Sequence, residues 1–224
     1  MGPAAREQAV GARGSLTPER ILAEAARIFN QRGYHGTTLE GVARALGVTK
    51  AALYYHVRSK EELLFRCHQV LVEIALEGVR AARACASSAD EQLRLALTSY
   101  IEGILDHLRG SVVLLEHGAL TPAHRRQVIA GRDEYERQLR EIIAEGVRDG
   151  IFVPCDPRLV GFALLGAGNW IPKWYSPSGE RVPKEIAETF AAYLVRGLER
   201  HPTTDAIAPL PAPGRAPDAG GARD

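Results

Sequence analysis

Residues 38–60 read TLEGVARALGVTKAALYYHVRSK, and this stretch decides the fold. Thr38 can cap a short helix that ends before Gly47. Thr49 can cap a second short helix that runs to about His56. Two short helices separated by a glycine turn are typical of a helix-turn-helix unit, in which the second helix enters the major groove of DNA.

Helical patterns continue on both sides of this unit. Thr17-Pro18 is a capping residue followed by proline, which starts a helix whose apolar side chains recur at helical spacing. Ser59 with Glu62 forms a capping box that opens a long helix to about residue 84. Ile151-Phe152-Val153 is too short to count as a strand. Further helices are predicted at about 88–108, 111–118, 122–149, 157–169 and 184–199. We therefore predict an all-α fold with about nine helices.

Length and composition fit a soluble globular protein. The chain has 224 residues, of which 46% are hydrophobic and 25% are charged. Three widely spaced cysteines without a CxxC motif fit a reducing cytosol, and no apolar stretch is long enough to cross a membrane. Because no secretory signal is visible, we expect a cytoplasmic protein. We also expect a flexible arm at 1–16 and a disordered, proline-rich tail at 201–224.

Charge is concentrated near the N-terminus. The whole chain has a formal net charge of only +1. Residues 17–68, however, hold eight basic and five acidic side chains, an excess of three positive charges. A basic head on a slightly acidic body suits the phosphate backbone of DNA as a partner.

A set of residues at fixed spacing covers about residues 17–65. Its positions are Ala25-Ala26, Phe29, Gly33-Tyr34, Thr37-Thr38, Val42-Ala43, Leu46-Gly47-Val48, Leu53-Tyr54-Tyr55-His56-Val57, Lys60 and Leu63. This pattern resembles the DNA-binding head of TetR-family repressors. The resemblance implies an all-helical homodimer with a DNA-binding domain at 17–64 and an effector-binding and dimerisation domain at 65–200. A small effector bound in the second domain would release the head from palindromic operator DNA.

Candidate DNA-contacting residues lie on and around the second short helix. Lysine can donate to guanine, an alanine methyl can meet thymine, and a helix N-terminus can hold a phosphate. The alternatives are that Tyr54 or Tyr55 packs within the head, that Thr38 is only a cap and that Lys60 is only solvated. Glu40 lies where the family sometimes reads a base, but here it is taken as a first-turn helix residue. The candidates are Thr38, Thr49, Lys50, Ala51, Tyr54, Tyr55, His56 and Lys60.

Residues 168–179, GNWIPKWYSPSG, hold both tryptophans of the chain. The segment resembles the Asn-Trp-x-x-x-Trp-Tyr-x-Pro-x-Gly segment of TetR-family regulators of fatty-acid, steroid and aromatic-acid degradation. That resemblance implies an acyl-CoA thioester as the effector, whereas a hydrophobic drug or flavonoid is the alternative. The tryptophans could instead anchor the core and the dimer interface. The candidate effector-binding residues are Tyr100, Ile104, Tyr135, Phe162, Asn169, Trp170, Lys173 and Trp174.

The helices at about 157–169 and 184–199 are expected to form the homodimer, as the resemblance implies. The sequence does not choose among five arginines as possible phosphate partners of the effector, which are Arg94, Arg109, Arg125, Arg126 and Arg132. A metal sensor built from His107, Glu116, His117 and His124 is an alternative, although these residues lack local ligand spacing. A helical enzyme or a protein-binding adaptor are further alternatives, but no nucleophile elbow or phosphate-binding loop is present. We expect no cofactor other than the effector, and no catalytic residues.

Overall fold

The computed structural model describes residues 16–106, 116 and 118–200. Within them the predicted all-α fold is confirmed. The predicted helix at about 111–118 lies almost entirely outside the described residues, as do the arm predicted at 1–16 and the tail predicted at 201–224. The helices are α1 Pro18–Arg32, α2 Leu39–Leu46, α3 Lys50–His56, α4 Lys60–Cys85, α5 Ala89–Asp106, α6 Pro122–Arg148, α7 Pro157–Trp170 and α8 Pro183–Arg196, with a 3-10 helix at Ile171–Lys173.

Most of the helices begin where the sequence supplies a capping side chain. The hydroxyls of Thr38 and Thr49 each accept a backbone N–H of the following turn at 3.1 Å. Ser59 accepts the N–H of Glu62 at 3.0 Å, as a capping box requires. The Glu62 carboxylate accepts the N–H of Arg58 at 2.7 Å, one residue before the cap. Local side chains therefore fix the starts of α2, α3 and α4.

Helices α1, α2 and α3 form the head, and the start of α4 packs against it. Phe29, Leu53 and Val57 are buried in the head core, and Val48 packs against it partly buried. Gly47 takes φ +70°, a left-handed backbone that closes α2 and starts the turn to α3. The predicted helix-turn-helix geometry follows from this glycine and from the shared apolar core.

The body is built on α4, which continues from the head into the rest of the molecule. Helix α4 packs against α5 and α6, α5 packs against α8, and α6 packs against α7. Leu97, Ile101 and Leu139 are among the fully buried side chains of its core. Within the described part of the chain, no helix has the length and apolar character needed to cross a membrane. The head and the body thus share one continuous helix.

The end of α8 differs from the prediction. Helix α8 ends at Arg196, three residues earlier than predicted, because the chain then pairs with residues 151–153. The N–H of Val153 donates to the carbonyl of Leu198, and the N–H of Arg200 donates to that of Ile151, both at 2.9 Å. The result is an isolated antiparallel bridge rather than a last helical turn.

Candidate functional site

Helix α3 presents most of the predicted DNA-contacting residues to solvent. Thr49, Lys50, Ala51, Tyr54 and Tyr55 are exposed, with Tyr55 89% exposed. At the two flanks, the side chain of Thr38 is also exposed, while His56 and Lys60 are half-buried. The eight predicted residues therefore fall on α3, the start of α2 and the start of α4, and Tyr55 does not pack within the head.

The capping role of Thr38 and Thr49 leaves each hydroxyl proton available. Each side-chain oxygen accepts a backbone N–H of its own helix. A hydroxyl group can accept and donate at the same time, so the proton can still be given to a phosphate oxygen. A cap and a phosphate contact are therefore compatible at both positions.

Lys50 forms an ion pair with Glu40, which lies in the first turn of α2. The hydrogen bond from Lys50 lowers the pKa of the Glu40 carboxyl, and the same bond raises the pKa of Lys50. The Lys50 ammonium also lies 5.4 Å from the ring centroid of Tyr54. The sequence analysis took Glu40 as a first-turn helix residue and did not pair it with Lys50, although an acidic residue across the turn from a lysine was the available signal.

Lys60 is fixed to the head. Its ammonium donates to the carbonyl of Tyr34 at 2.8 Å and lies 4.3 Å from the Tyr34 ring centroid. The Tyr34 ring in turn lies 5.6 Å from that of Phe29. Burial raises the pKa of Tyr34. Lys60 is thus held at the loop between α1 and α2, and is not simply solvated.

Four of the predicted effector-binding residues are partly or wholly buried in the body: Tyr100, Ile104 and Tyr135 are buried, and Asn169 is half-buried. The hydroxyl of Tyr100 donates to Asn169 Oδ1 at 2.6 Å, and its ring stacks on that of Tyr135 with 5.2 Å between centroids. The hydroxyl of Tyr135 donates to the carbonyl of Ala96 at 3.3 Å. Ile104 is fully buried, and burial raises the pKa of Tyr100 to about 12.

The other four predicted effector-binding residues lie at the surface of the protomer. Phe162 is 47% exposed, Trp170 is 63% exposed and Trp174 is 51% exposed, and Lys173 is also exposed. The ring of Trp174 stacks on that of Phe190 at 5.7 Å. Neither tryptophan belongs to the protomer core. Because Asn169 and Trp170 are consecutive, the end of α7 connects the inner group to the outer one.

Sequence reasoning did not single out His68, a buried residue of α4. Its Nδ1 lies 3.2 Å from Arg132 Nη2 on α6. The sequence analysis also missed the hydrogen bond between Glu61, in the first turn of α4, and His124, whose Nδ1 lies 2.8 Å from Glu61 Oε1.

Among the described residues, no three His, Cys, Asp or Glu side chains cluster as metal ligands. His107 and His117 of the metal-sensor alternative lie outside the described residues.

Comparisons with known proteins place the head and the body in the same family. Residues 21–67 match the family model of bacterial regulatory proteins, tetR family, and residues 86–198 match that of the tetracyclin repressor-like C-terminal domain. Among similar proteins, the HTH-type transcriptional repressor KstR2 of Mycolicibacterium smegmatis is 25% identical, with 80% of this chain and 89% of that protein covered. The HTH-type transcriptional activator FasR of the same species is 30% identical, with 83% and 84% covered.

A solved structure described as AibR in complex with isovaleryl coenzyme A and operator DNA is also similar. It superposes with a TM-score of 0.66 and 31% identity, over 80% of this chain and 96% of that one. This likeness extends across the head and the body.

Proposed function

The chain belongs to the TetR family of bacterial regulatory proteins, and we propose that it is a homodimeric repressor that an acyl-CoA thioester releases from palindromic operator DNA. It is a ligand-responsive, DNA-binding transcriptional regulator, and the relatives that it matches are regulators rather than enzymes. The main support for the proposal is that α3 exposes a face of polar and aromatic side chains. The head that contains α3 is joined to the body by the shared helix α4.

The DNA-binding role of individual residues rests on their geometry. Lys50 and Tyr54 lie together on the exposed face of α3, where base edges would be read. Glu40 holds Lys50 in the free protein, so DNA must offer Lys50 a better partner than this carboxylate. Lys60 lies beside the head with its position fixed by Tyr34, which suits a phosphate contact.

Fluorescence anisotropy with a labelled upstream duplex tests this role. Lys60→Ala should weaken binding to every duplex and lower the salt slope by about one, because one phosphate contact is lost. Lys50→Ala should instead change the preference between duplexes. Arg148→Ala, which removes an exposed cation at the end of α6, away from the head and outside helices α7 and α8, is the matched control and should leave binding unchanged. Binding that is insensitive to salt and sequence would contradict the proposal.

The acyl-CoA class rests on four observations. The segment from Asn169 to Tyr175 resembles that of acyl-CoA-responsive members, and the similar AibR structure contains isovaleryl coenzyme A. Trp174 is exposed beside Lys173, so its ring can stack on an adenine ring near a phosphate-binding cation. Asn169 leads from this surface to the interior at Tyr100, a route that an acyl chain could follow.

Thermal unfolding with a panel of CoA thioesters, free acids and cationic dyes tests the effector class. Only the CoA forms should stabilise the protein, by about 2.7 kcal/mol at a hundredfold excess over Kd. Lys173→Ala should reduce this stabilisation, whereas the control Arg148→Ala should not. Stabilisation by cationic dyes alone would favour a regulator of drug efflux.

The proposed dimer surface includes an apolar stripe on α7. Leu159, Phe162 and Trp170 recur at helical spacing and are all exposed in the protomer. Tyr193 of α8 is 74% exposed. Exposed apolar side chains in a row are typical of protein interfaces, and a twofold operator requires a twofold protein. These helices are the pair expected from the sequence.

A further inference from the structure

Helices α2 and α3 carry one acidic residue between them, Glu40, and it lies on the surface proposed to face DNA. The Glu40 carboxylate forms an ion pair with the ammonium group of Lys50, the first residue of α3. The exposed fractions of the two side chains are 49% and 57%, so the ion pair lies in solvent rather than in the head core. An exposed carboxylate on this surface opposes the binding of phosphates, which suggests that it has a selective role.

Lys50 is held in place by contacts with both short helices. Glu40 lies in the first turn of α2, and Tyr54 lies one turn further along α3 with its ring centroid 5.4 Å from Lys50 Nζ. The hydrogen bond between Lys50 and Glu40 raises the pKa of Lys50 and lowers that of Glu40, so both groups are charged at neutral pH. The ion pair is neutral as a whole, and Lys50 therefore presents little net charge to an approaching duplex.

This ion pair makes a phosphate a poor partner for Lys50. If Lys50 turned to a phosphate oxygen, it would exchange one anionic partner for another. Glu40 would then be left unpaired beside the negatively charged DNA backbone, where the two charges repel each other. Contacts with phosphates supply most of the binding to DNA of arbitrary sequence. Glu40 thus keeps Lys50 out of the contacts that every duplex offers.

A G·C base pair, in contrast, offers a partner to each of the two side chains. In the major groove, guanine O6 and N7 are adjacent acceptors that suit lysine, and the cytosine N4 amino group is a donor that suits a carboxylate. An A·T pair places the adenine N6 donor between its two acceptors, so it offers lysine no adjacent pair. The N-terminal residues of a recognition helix contact base edges, and Lys50 is the first residue of α3. If the ion pair opens onto a G·C pair, neither charge is left without a partner.

We propose that Glu40 is a specificity-determining residue, which keeps Lys50 from phosphates and releases it to a G·C base pair in each half of the operator. This inference rests on the proposed function, because it assumes that α3 enters the major groove. It adds to that function a residue that opposes binding to the wrong DNA, and specificity often depends on such an unfavourable element.

Fluorescence anisotropy with two duplexes tests the proposal. The first is the duplex that the wild-type protein enriches most strongly from a randomised pool, and the second is a shuffled version of the same composition. Glu40→Gln should bind the shuffled duplex about tenfold more tightly, with a salt slope steeper by about one for each bound head, because Lys50 can then pair with a phosphate. Its affinity for the enriched duplex should stay within about threefold of the wild type, because the lost cytosine contact offsets the easier release of Lys50.

A matched control and a set of altered duplexes complete the experiment. Glu24→Gln makes the same change of charge in the head, but the partner of Glu24 is Arg27 within α1, so both affinities should remain unchanged. Each G·C pair of the enriched duplex is also replaced in turn by A·T. One replacement in each half-site should weaken wild-type binding about fivefold or more, but Glu40→Gln binding only about twofold, since Lys50 can then use a phosphate instead.

The contrary outcomes separate this inference from the proposed function. If Glu40→Gln leaves the shuffled duplex and its salt slope unchanged, Glu40 does not restrain Lys50, and the inference is overturned while DNA binding stands. An equal gain for both duplexes, or the same gain in Glu24→Gln, would show a general effect of charge and would also overturn it. The same holds if no G·C replacement separates Glu40→Gln from the wild type. If the wild-type protein enriches no duplex, the proposed function fails and the inference fails with it.

Discussion

Cys67 differs from the other two cysteines in its surroundings. Its thiol is completely buried on α4, and burial raises its pKa to about 12. Cys85 is exposed, whereas Cys155 is half-buried with a pKa raised by burial and by Asp156. A thiolate is the reactive form of cysteine, so its fraction and its exposure together set the rate of modification.

These differences predict three separate rates with a thiol reagent such as Ellman's reagent at pH 8. Cys85 should react first and Cys155 more slowly. Cys67 should react only when the protein opens, because about one thiol in ten thousand is ionised at this pH and the sulfur is inaccessible. Cys85→Ser and Cys155→Ser assign the two early phases. Rapid reaction of all three thiols in the folded protein would contradict the burial of Cys67.

At the scale of single residues, local contacts were predictable and distant ones were not. Thr38 and Thr49 cap helices whose N–H groups lie only three positions away, so the sequence pattern contains both partners. The bond from Lys60 to Tyr34 spans 26 positions, and the contact between Arg132 and His68 spans 64. Such partners meet only after the helices have packed, and no spacing rule reveals them.

At the scale of helices, α7 carries an exposed apolar stripe that a single protomer leaves uncovered. Phe162 lies in the middle of this stripe, with Arg158 5.6 Å from its ring centroid. A carboxylate here would have to lose its water if α7 forms the dimer interface, at a cost of several kcal/mol that pairing with Arg158 would offset only in part. The stripe therefore offers a direct test of the homodimer.

We expect Phe162→Glu to be a monomer at micromolar concentrations and to bind operator DNA at least tenfold more weakly, because two linked heads bind more tightly than one. Sedimentation velocity measures the first effect and anisotropy the second. Ile129→Glu is the matched control, since Ile129 is an exposed apolar residue of α6 outside the stripe. A Phe162→Glu protein that remains dimeric would show that another surface joins the protomers.

Helix boundaries, like single contacts, were predictable from the sequence only where neighbouring residues determine them. The starts of helices followed the sequence because capping residues act locally. The end of α8 did not, because its last turn is replaced by pairing with residues 151–153, about 45 positions earlier. The short 3-10 helix after α7 was also missed. It contains Pro172, whose ring nitrogen lacks the N–H that a regular α-helix would use.

At the scale of the whole molecule, the start of α4 joins the head to the body through two consecutive residues. Lys60 donates to the carbonyl of Tyr34 in the head. Glu61 accepts from the N–H of Thr121 at 2.9 Å and from His124 Nδ1, at the start of α6 in the body. The His124 ring also stacks on Phe65 at 3.8 Å. A displacement of α6 on effector binding would therefore also displace the start of α4, which is bonded to the head.

This arrangement predicts that Glu61→Gln uncouples the two domains while each still binds its own ligand. The variant should bind operator and effector with affinities within about threefold of the wild type. The factor by which effector weakens DNA binding should fall by about fivefold, which corresponds to a coupling free energy of about 1 kcal/mol. Anisotropy titrations of DNA at zero and saturating effector measure this factor. Arg66→Gln, which breaks an ion pair with Glu62 within α4 itself, is the matched control and should keep the wild-type factor. An unchanged factor in Glu61→Gln would mean that the effector signal reaches α4 elsewhere along its contact with α5 or α6.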